Sequence, residues 1–374
     1  MAQKKLARGA KPTARSSANS PAQLVRQLEQ LDRQLVKSLN DRAELVQRLT
    51  KTLIVDSAPA FDATAEQSLL ERVIGKNRGP LENHSIRSIF REIISGSRNL
   101  VKPIRVSYLG PKYSYSYLAA VERFGQSVEL APVATISAVF EELNRGHSNF
   151  GVVPLENSTD GRVADTLDMF ARLPVRICGE VQLRIHHNLL AKCPRDEIQE
   201  VYSKPQALSQ CRDWIARHLP WARSVEMTST AAAAQLAASK QGAAAVASLL
   251  AAANYGLDVI VPNIEDNRHN VTRFAVIGGE AARRTGKDKT AVMFEIAHRS
   301  GALSDVMSIF KRGRLNLTWI ESFPLSGSKN EYLFFVELEG HQDDSKVKKA
   351  LVSLGRKTVR LELLGSYARS AALE

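Results

Sequence analysis

Between Pro21 and Leu53 the apolar residues fall at Leu24, Leu28, Leu31, Leu35, Leu39, Leu45, Val46 and Leu49. Steps of three and four sustained over this stretch specify one long amphipathic helix. A second helix, beyond Pro59, carries Leu69, Leu70, Val73 and Ile74. A third, after Gly79-Pro80, carries Ile86, Ile89, Phe90, Ile93 and Ile94. Three helices without a strand predict a small all-α region over 21–101, whose stripe is buried by pairing with a second copy.

At Pro103 the period changes. "IRVSYLGP" is a short apolar strand, and strands and helices then alternate: a Phe150–Pro154 strand, an Ala164–Phe170 helix, a Val175–Leu183 strand, Gln206–His218 and Thr230–Ala238 helices, and an Ala243–Ala247 strand. This alternation predicts a mostly parallel α/β domain over 104–280, with ligands held by loops at strand ends. From Lys289 the order becomes βαββαβ, a ferredoxin-like α+β unit over 289–368. A chain of 374 residues is too long for one core, and a multidomain protein in three parts is the expected architecture.

Part of the net charge of +12 lies at one end, where residues 1–20 hold Lys4, Lys5, Arg8, Lys11 and Arg15 without an acid, among Ala, Ser and Pro. That composition predicts a disordered tail. The remaining excess is dispersed and lacks a basic stripe with interleaved aromatics, so no nucleic-acid partner is expected. The Ala-rich run Ala231–Ala253 is interrupted by Gln235, Ser239, Lys240, Gln241 and Ser248, so no membrane span is expected either. Cys178, Cys193 and Cys211 have no metal-ligand spacing and, with no secretory signal visible, read as reduced thiols in a cytoplasmic protein.

Three loops carry candidate chemistry. In "GVVPLENSTDGRVADTLDMF" an apolar strand stops at Pro154 and Glu156, Asn157, Ser158 and Thr159 follow. Gly161 then allows a tight approach, and a helix begins. Amides and hydroxyls at a helix entrance suit a carboxylate; ordinary turn and cap roles are the competing reading. In "VYSKPQALSQC" a strand leads to Ser203, and Gln206 and Gln210 share one helix face. In "NRHNVTRFAVIG" Thr272 sits at the mouth of an apolar strand with Arg273 on the opposite side. Adjacent His186 and His187 point to opposite faces and cannot chelate together.

These loops, together with "LGPKYSYS", resemble the prephenate dehydratases: "GVVPLENSTDG" its Glu-Asn-Ser loop, "YSKPQALSQC" its Ser-Gln-Gln loop, "NVTRFAVIG" its Thr-Arg-Phe signature. The resemblance implies two α/β lobes joined by crossing strands, as in periplasmic binding proteins, with the site in the cleft. It implies a lyase reaction, loss of carbon dioxide and water from prephenate to give phenylpyruvate in L-phenylalanine biosynthesis, with no metal or other cofactor. Thr272, Asn157, Ser203 and Gln210 take catalytic positions, and Ser158, Arg273, Glu156 and Gln206 substrate contacts. The chain departs from the family at Tyr113, where Gly is frequent, and at Lys204, where His is.

Residues 289–368 resemble an ACT domain, in which "GALSDVMSIF" and "NLTWIESFP" match phenylalanine-binding segments. Gly301, Ala302, Leu303, Glu321 and Ser322 are the implied effector contacts, although Phe323 replaces a usual Arg; a pairing module without ligand is the alternative. The N-terminal helices resemble an all-helical chorismate mutase. Arg42, Asp62, Glu66 and Ser97 fall at site positions, while Val25, Leu53, Ala65 and Val101 stand where that site has Arg, Lys, Arg and Gln. Losing cations from a site that stabilises a dianionic transition state predicts a helical scaffold with its mutase activity gone. The expected protein is therefore a phenylalanine-regulated prephenate dehydratase, a homodimer or homotetramer. The alternatives are a bifunctional mutase/dehydratase and a two-lobed sensor without catalysis.

Overall fold

The computed structural model describes residues 20–53, 63–278, 281–324 and 332–373; Asp62 and the basic tail up to residue 19 lie outside them. The chain divides into two compact units, Met1–Ala58 and Pro59–Glu374. The first contains α1 (Pro21–Leu53), an unbroken helix on which Leu24, Leu28, Leu31, Leu35, Leu45 and Leu49 are all exposed.

The second unit begins with α2 (Ala63–Gly75) and α3 (Asn83–Asn99). These helices lie in the same compact unit as the α/β region. Their side chains explain why. Arg98 donates to Glu66 at 2.9 and 2.6 Å and to the Phe124 carbonyl at 3.4 Å, and Arg91 pairs with Glu122. Gly125 packs so closely on α3 that a Cβ there would lie 2.5 Å from that of Ser95.

The first lobe comprises β1 (Arg105–Leu109), α4 (Tyr115–Phe124), β2 (Glu129–Val133), α5 (Ile136–Asn144), β3 (Phe150–Asn157), β4 (Gly161–Arg162), α6 (Ala164–Arg172) and β5 (Arg176–Arg184). Ser114 and Thr135 start α4 and α5 by accepting from Tyr117 N and Ala138 N. The second lobe comprises β6 (Asn188–Ala191), β7 (Glu200–Ser203), α7 (Pro205–Gln210), α8 (Arg212–His218), β8 (Arg223–Glu226), α9 (Thr230–Ala237), β9 (Ala243–Ala247), α10 (Leu249–Tyr255) and β10 (Asp258–Val261), with strand order β10-β6-β9-β7-β8. Strand β9 is Ala-Ala-Ala-Val-Ala and wholly buried. Its alternate residues feed two different cores, so both faces are covered. The helix expected over Gln206–His218 is broken at Cys211, whose φ and ψ are −118° and 13°.

The chain then returns to the first lobe as β11 (Val271–Gly278) and inserts antiparallel between β3 and β5. Along β5-β11-β3-β1-β2 the pairs among β1, β2 and β3 are parallel and those made by β11 antiparallel. The expected mostly parallel sheet is thus mixed, because its central strand arrives from the other lobe. Where the two crossing segments meet they pair with each other, Ile185 N to Asn270 O at 2.8 Å and Ile264 N to His187 O at 2.7 Å.

The last unit is β12 (Asp288–Glu295), α11 (Ala302–Gly313), β13 (Leu317–Pro324), β14 (Tyr332–Glu339), α12 (Ser345–Gly355) and β15 (Arg360–Ala368), a four-stranded antiparallel sheet in the order β13-β14-β12-β15. Its α11–α12 face buries Phe294, Val306 and Phe310. Its other face, with Met293, Phe335 and Tyr367, packs on Phe140, Phe170 and Ile277 of the first lobe. Finally β16 (Ala372–Leu373) adds to the edge of β5. Gly365 permits this stacking: its φ is +145°, and a Cβ would fall 2.1 Å from the Ile177 carbonyl oxygen. Gly365→Ala is expected to destabilise the chain by at least the roughly 1–3 kcal/mol typical of overpacking, seen as a lowered Tm. An unchanged melt would refute that close approach. Among the described residues no helix is long and apolar enough to cross a membrane.

Candidate active site

Strand alternation and register decide what faces the cleft. Thr272 pairs with Asn157, and Arg273 with Glu156, across β11 and β3. One face therefore carries Thr272 and Asn157, the other Arg273 and Glu156. Asn157 is 5% exposed, and its Nδ2 donates to Thr272 Oγ1 and to Asn270 Oδ1, both at 2.8 Å. Its Oδ1 accepts from Thr159 N and Asp160 N, which folds the loop back over the strand end. The Thr272 oxygen thus accepts a hydrogen bond. Among the described residues nothing accepts its own hydrogen, so that hydrogen is available to a ligand.

The second lobe completes the constellation. Gln210 Oε1 accepts from Asn270 Nδ2 at 2.9 Å and from His187 Nε2 at 2.8 Å, while its Nε2 donates to Asp160 Oδ2 at 2.7 Å. Gln206 also donates to Asp160. Side chains from β3, β11, α7 and a crossing segment therefore converge. Burial pushes His187 below the usual imidazole range, against a smaller upward effect of Gln210, so the ring is neutral at pH 7. Burial likewise pushes up Tyr115, whose hydroxyl donates to the His186 carbonyl. Apart from Asp160, the converging groups are uncharged hydrogen-bonding groups, arranged for polar contact in a partly dry space.

Several expected positions lie elsewhere. Arg273 turns away from the cleft, where Glu156 at 2.7 Å, Glu337 at 2.7 Å and Glu180 at 3.1 Å hold it, so neither Arg273 nor Glu156 is placed to touch a cleft ligand. The same alternation that presents Thr272 forces this. Ser203 is fully buried and donates to the Val246 carbonyl at 2.6 Å, joining β7 to β9 instead of lining the cleft. Ser158 is used in stitching the loop to β11, accepting from Val271 N and donating to His269 O. Gly161 meets nothing within 4 Å; its φ of +81° is the reason for glycine. Tyr113, where the resembled family favours Gly, has a φ of +69° and sets its ring 5.8 Å from Tyr255 of the second lobe. Lys204 is exposed at the start of α7.

Asn270, His187 and Asp160 were missed. Asn270 lies two residues before Thr272 and so shares its face, a signal the sequence did contain. The two histidines do diverge: His186 Nδ1 meets the buried Glu265 at 2.9 Å, while His187 turns to Gln210. Nothing local marks His187, because its partner comes from a different element. In the C-terminal unit Gly301, Ala302 and Leu303 line a cavity of about 300 Å³ with Arg299, Tyr332 and Phe334. Glu321 and Ser322 are not part of it; Arg162 binds the Glu321 carboxylate at 2.9 Å and the Ser322 carbonyl at 3.2 Å.

Two α/β lobes joined by paired crossing segments, with polar groups converging between them, define a two-lobed domain of the ligand-enclosing class. The comparisons agree. A family model for prephenate dehydratase matches residues 106–282, and one for chorismate mutase type II matches residues 24–102. The bifunctional chorismate mutase/prephenate dehydratase of Stutzerimonas stutzeri is 38% identical over 350 residues, covering 92% of this chain and 96% of that one. That of Aquifex aeolicus is 38% identical over 357 residues, covering 94% and 99%. The prephenate dehydratase of Arthrobacter aurescens, solved in complex with L-Phe, superposes with a TM-score of 0.66 at 32% identity, covering 71% of this chain and 90% of that one. The chain belongs to the prephenate dehydratase family and carries a chorismate mutase type II domain ahead of the dehydratase.

That finding corrects the expectation that mutase activity is gone. Glu66 is held by Arg98, which is not one of the expected site positions. Ser97 is buried and donates to the Ile93 carbonyl, and Arg42 is half-buried on α1.

Proposed function

We propose that this chain is bifunctional, converting chorismate to prephenate in its N-terminal region and prephenate to phenylpyruvate in the cleft between the two lobes, in L-phenylalanine biosynthesis. The mutase assignment is supported by the type II match over 24–102 and by relatives named as bifunctional along nearly their whole length. In the dehydratase step the ring carboxylate leaves as carbon dioxide, its bonding electrons enter the ring, and the ring hydroxyl departs as water after gaining a proton. The chain's task is to hold a dianion and stabilise the oxygen as charge develops on it. The observation that carries this reading is the Asn157–Thr272 hydrogen bond at 2.8 Å, which orients the threonine so that its own hydrogen meets the departing oxygen. Gln206 and Gln210 amides, bound here to Asp160, are suited to a substrate carboxylate instead.

Phenylalanine is the proposed effector. The cavity at Gly301, Ala302 and Leu303 has room for an amino acid, with Arg299, which pairs with Asp305 at 2.8 Å, on the carboxylate side and Tyr332 and Phe334 beside its ring. A pairing of subunits through the open leucine stripe of α1 is consistent with its exposure. The deciding experiment is a panel of chorismate, prephenate and arogenate, each with and without phenylalanine. Consumption of chorismate and release of phenylpyruvate from prephenate, the latter suppressed by phenylalanine, are the expected results. Folded protein inert toward prephenate would leave the sensor reading standing.

A further inference from the structure

The face of β3 and β11 turned away from the cleft holds a buried charge cluster that the reaction does not use. Arg273 donates to both oxygens of Glu337 on β14 at 2.7 Å, to Glu156 at 2.7 Å and to Glu180 at 3.1 Å. Lys289 of β12 donates to Glu180 at 3.0 Å, and Tyr367 of β15 donates to Glu337 at 2.5 Å. The Trp319 ring of β13 lies 5.4 Å from the Arg273 guanidinium. Every strand of the C-terminal sheet thus supplies a side chain to this cluster, and the Glu337 side chain is completely buried within it.

Arg273 is the chain neighbour of Thr272, and Glu156 is the chain neighbour of Asn157. The register shifts between Arg273 and Phe274, so the ladder is irregular at the point where these four residues pair. A bulge re-aims side chains and weakens the backbone's own hold on them. One guanidinium nitrogen, Nη2, reaches both Glu337 oxygens while Nη1 donates to Glu156, and charge-assisted bonds in these two directions fix the orientation of the guanidinium plane.

We propose that Glu337 and Arg273 are positioning residues of the dehydratase site, the C-terminal unit setting the place of Thr272 and Asn157 through this ion cluster. The inference rests on the reading of Thr272 and Asn157 as site residues. It also supplies a route for effector control: β13 and β14 touch the strands behind the site, and a displacement of Glu337 is felt at Thr272 one residue away from Arg273. The half-exposed pair between Arg162 and Glu321 is a second, weaker contact of the same kind.

The test is steady-state prephenate turnover of the full chain, its Glu337→Gln, Tyr367→Phe and Glu321→Gln variants, and Thr272→Ala, each at a temperature well below its own melt. Glu337→Gln is expected to lower kcat by about tenfold or more with KM little changed, as misplacement by a fraction of an ångström does. Tyr367→Phe keeps every charge and is expected to show a smaller fall in kcat, so it reports on the link if Glu337→Gln does not fold. Glu321→Gln, which loosens the weaker of the two contacts, is expected to lower kcat by less than Glu337→Gln does. A merely structural cluster would lower the melting temperature and leave kcat at the parent value; parent-level kcat in both cluster variants overturns the proposal. Retained turnover in Thr272→Ala overturns the reading of the site itself, a separate outcome from either.

Discussion

Thr272→Ala is expected to lower prephenate turnover by about 10²–10³-fold, the cost of removing one donor aimed at developing charge, with the fold intact. Thr272 is only partly buried, so its loss opens no enclosed core cavity. What disappears is the oxygen that Asn157 orients at 2.8 Å and the hydrogen it presents to the cleft. Because that hydrogen acts on the departing oxygen more than on the bound ground state, kcat falls while KM moves little. Asn157→Ala should act in the same direction and add little in the double variant, since the two work as a unit. A Thr272→Ala protein with parent kcat, measured as phenylpyruvate formed, would contradict this role.

Arg273→Ala is expected to cost about 3–5 kcal/mol of stability, the range for removing one partner of a buried ion pair. Arg273 is 13% exposed by side chain, and Glu180 and Glu337 are essentially inaccessible. Without it, Lys289 alone faces Glu180 and Glu337. Burial raises the Glu180 carboxyl, but Lys289 and Arg273 outweigh burial and hold it below the ordinary range. A depressed carboxylate contributes stability above its unfolded pKa of about 4 and loses it as pH falls through the folded value. The parent's stability should therefore drop on acidification below about pH 4, and the Arg273→Ala drop should be shallower or reversed. Denaturant unfolding across pH measures both. A variant as stable as the parent, but with raised KM, would return Arg273 to the cleft as a substrate contact.

The outcome for Arg273 shows where reading the chain ran short. A period of two in "NVTRFAVIG" was enough to say that Thr272 and Arg273 point to opposite faces, and this is how they lie. What lay behind the second face was a sheet that begins some fifteen residues later in sequence, and no local pattern reports such a partner. Both residues belong to one motif, so both were expected at the cleft, Thr272 as a catalytic group and Arg273 as a substrate contact. His187 failed for the same reason in reverse: a histidine beside another histidine looked idle until α7 brought Gln210 within 2.8 Å of it.

The element boundaries divide along similar lines. Turn chemistry and apolar period placed the strands at Phe150, Ala243 and Asp288 and the helices at Ala164, Thr230 and Ala302 close to where they occur. The direction of β11 did not follow from them, because antiparallel insertion depends on where the other lobe returns the chain.

The amino-acid order alone determined the periodicities, and through them the long leucine-striped helix, the alternating α/β region and the final βαββαβ unit, since apolar spacing dictates which face each element must hide. It also carried the polar loops at strand ends that mark a ligand site. Tertiary structure alone decided which of those loop residues meet, that Arg273 serves the C-terminal sheet and not the cleft, and that Asn270 and His187 complete the group around Asn157. The reason is physical: hydrogen bonds and ion pairs act over about 3 Å, and only folding brings residues a hundred positions apart within that range.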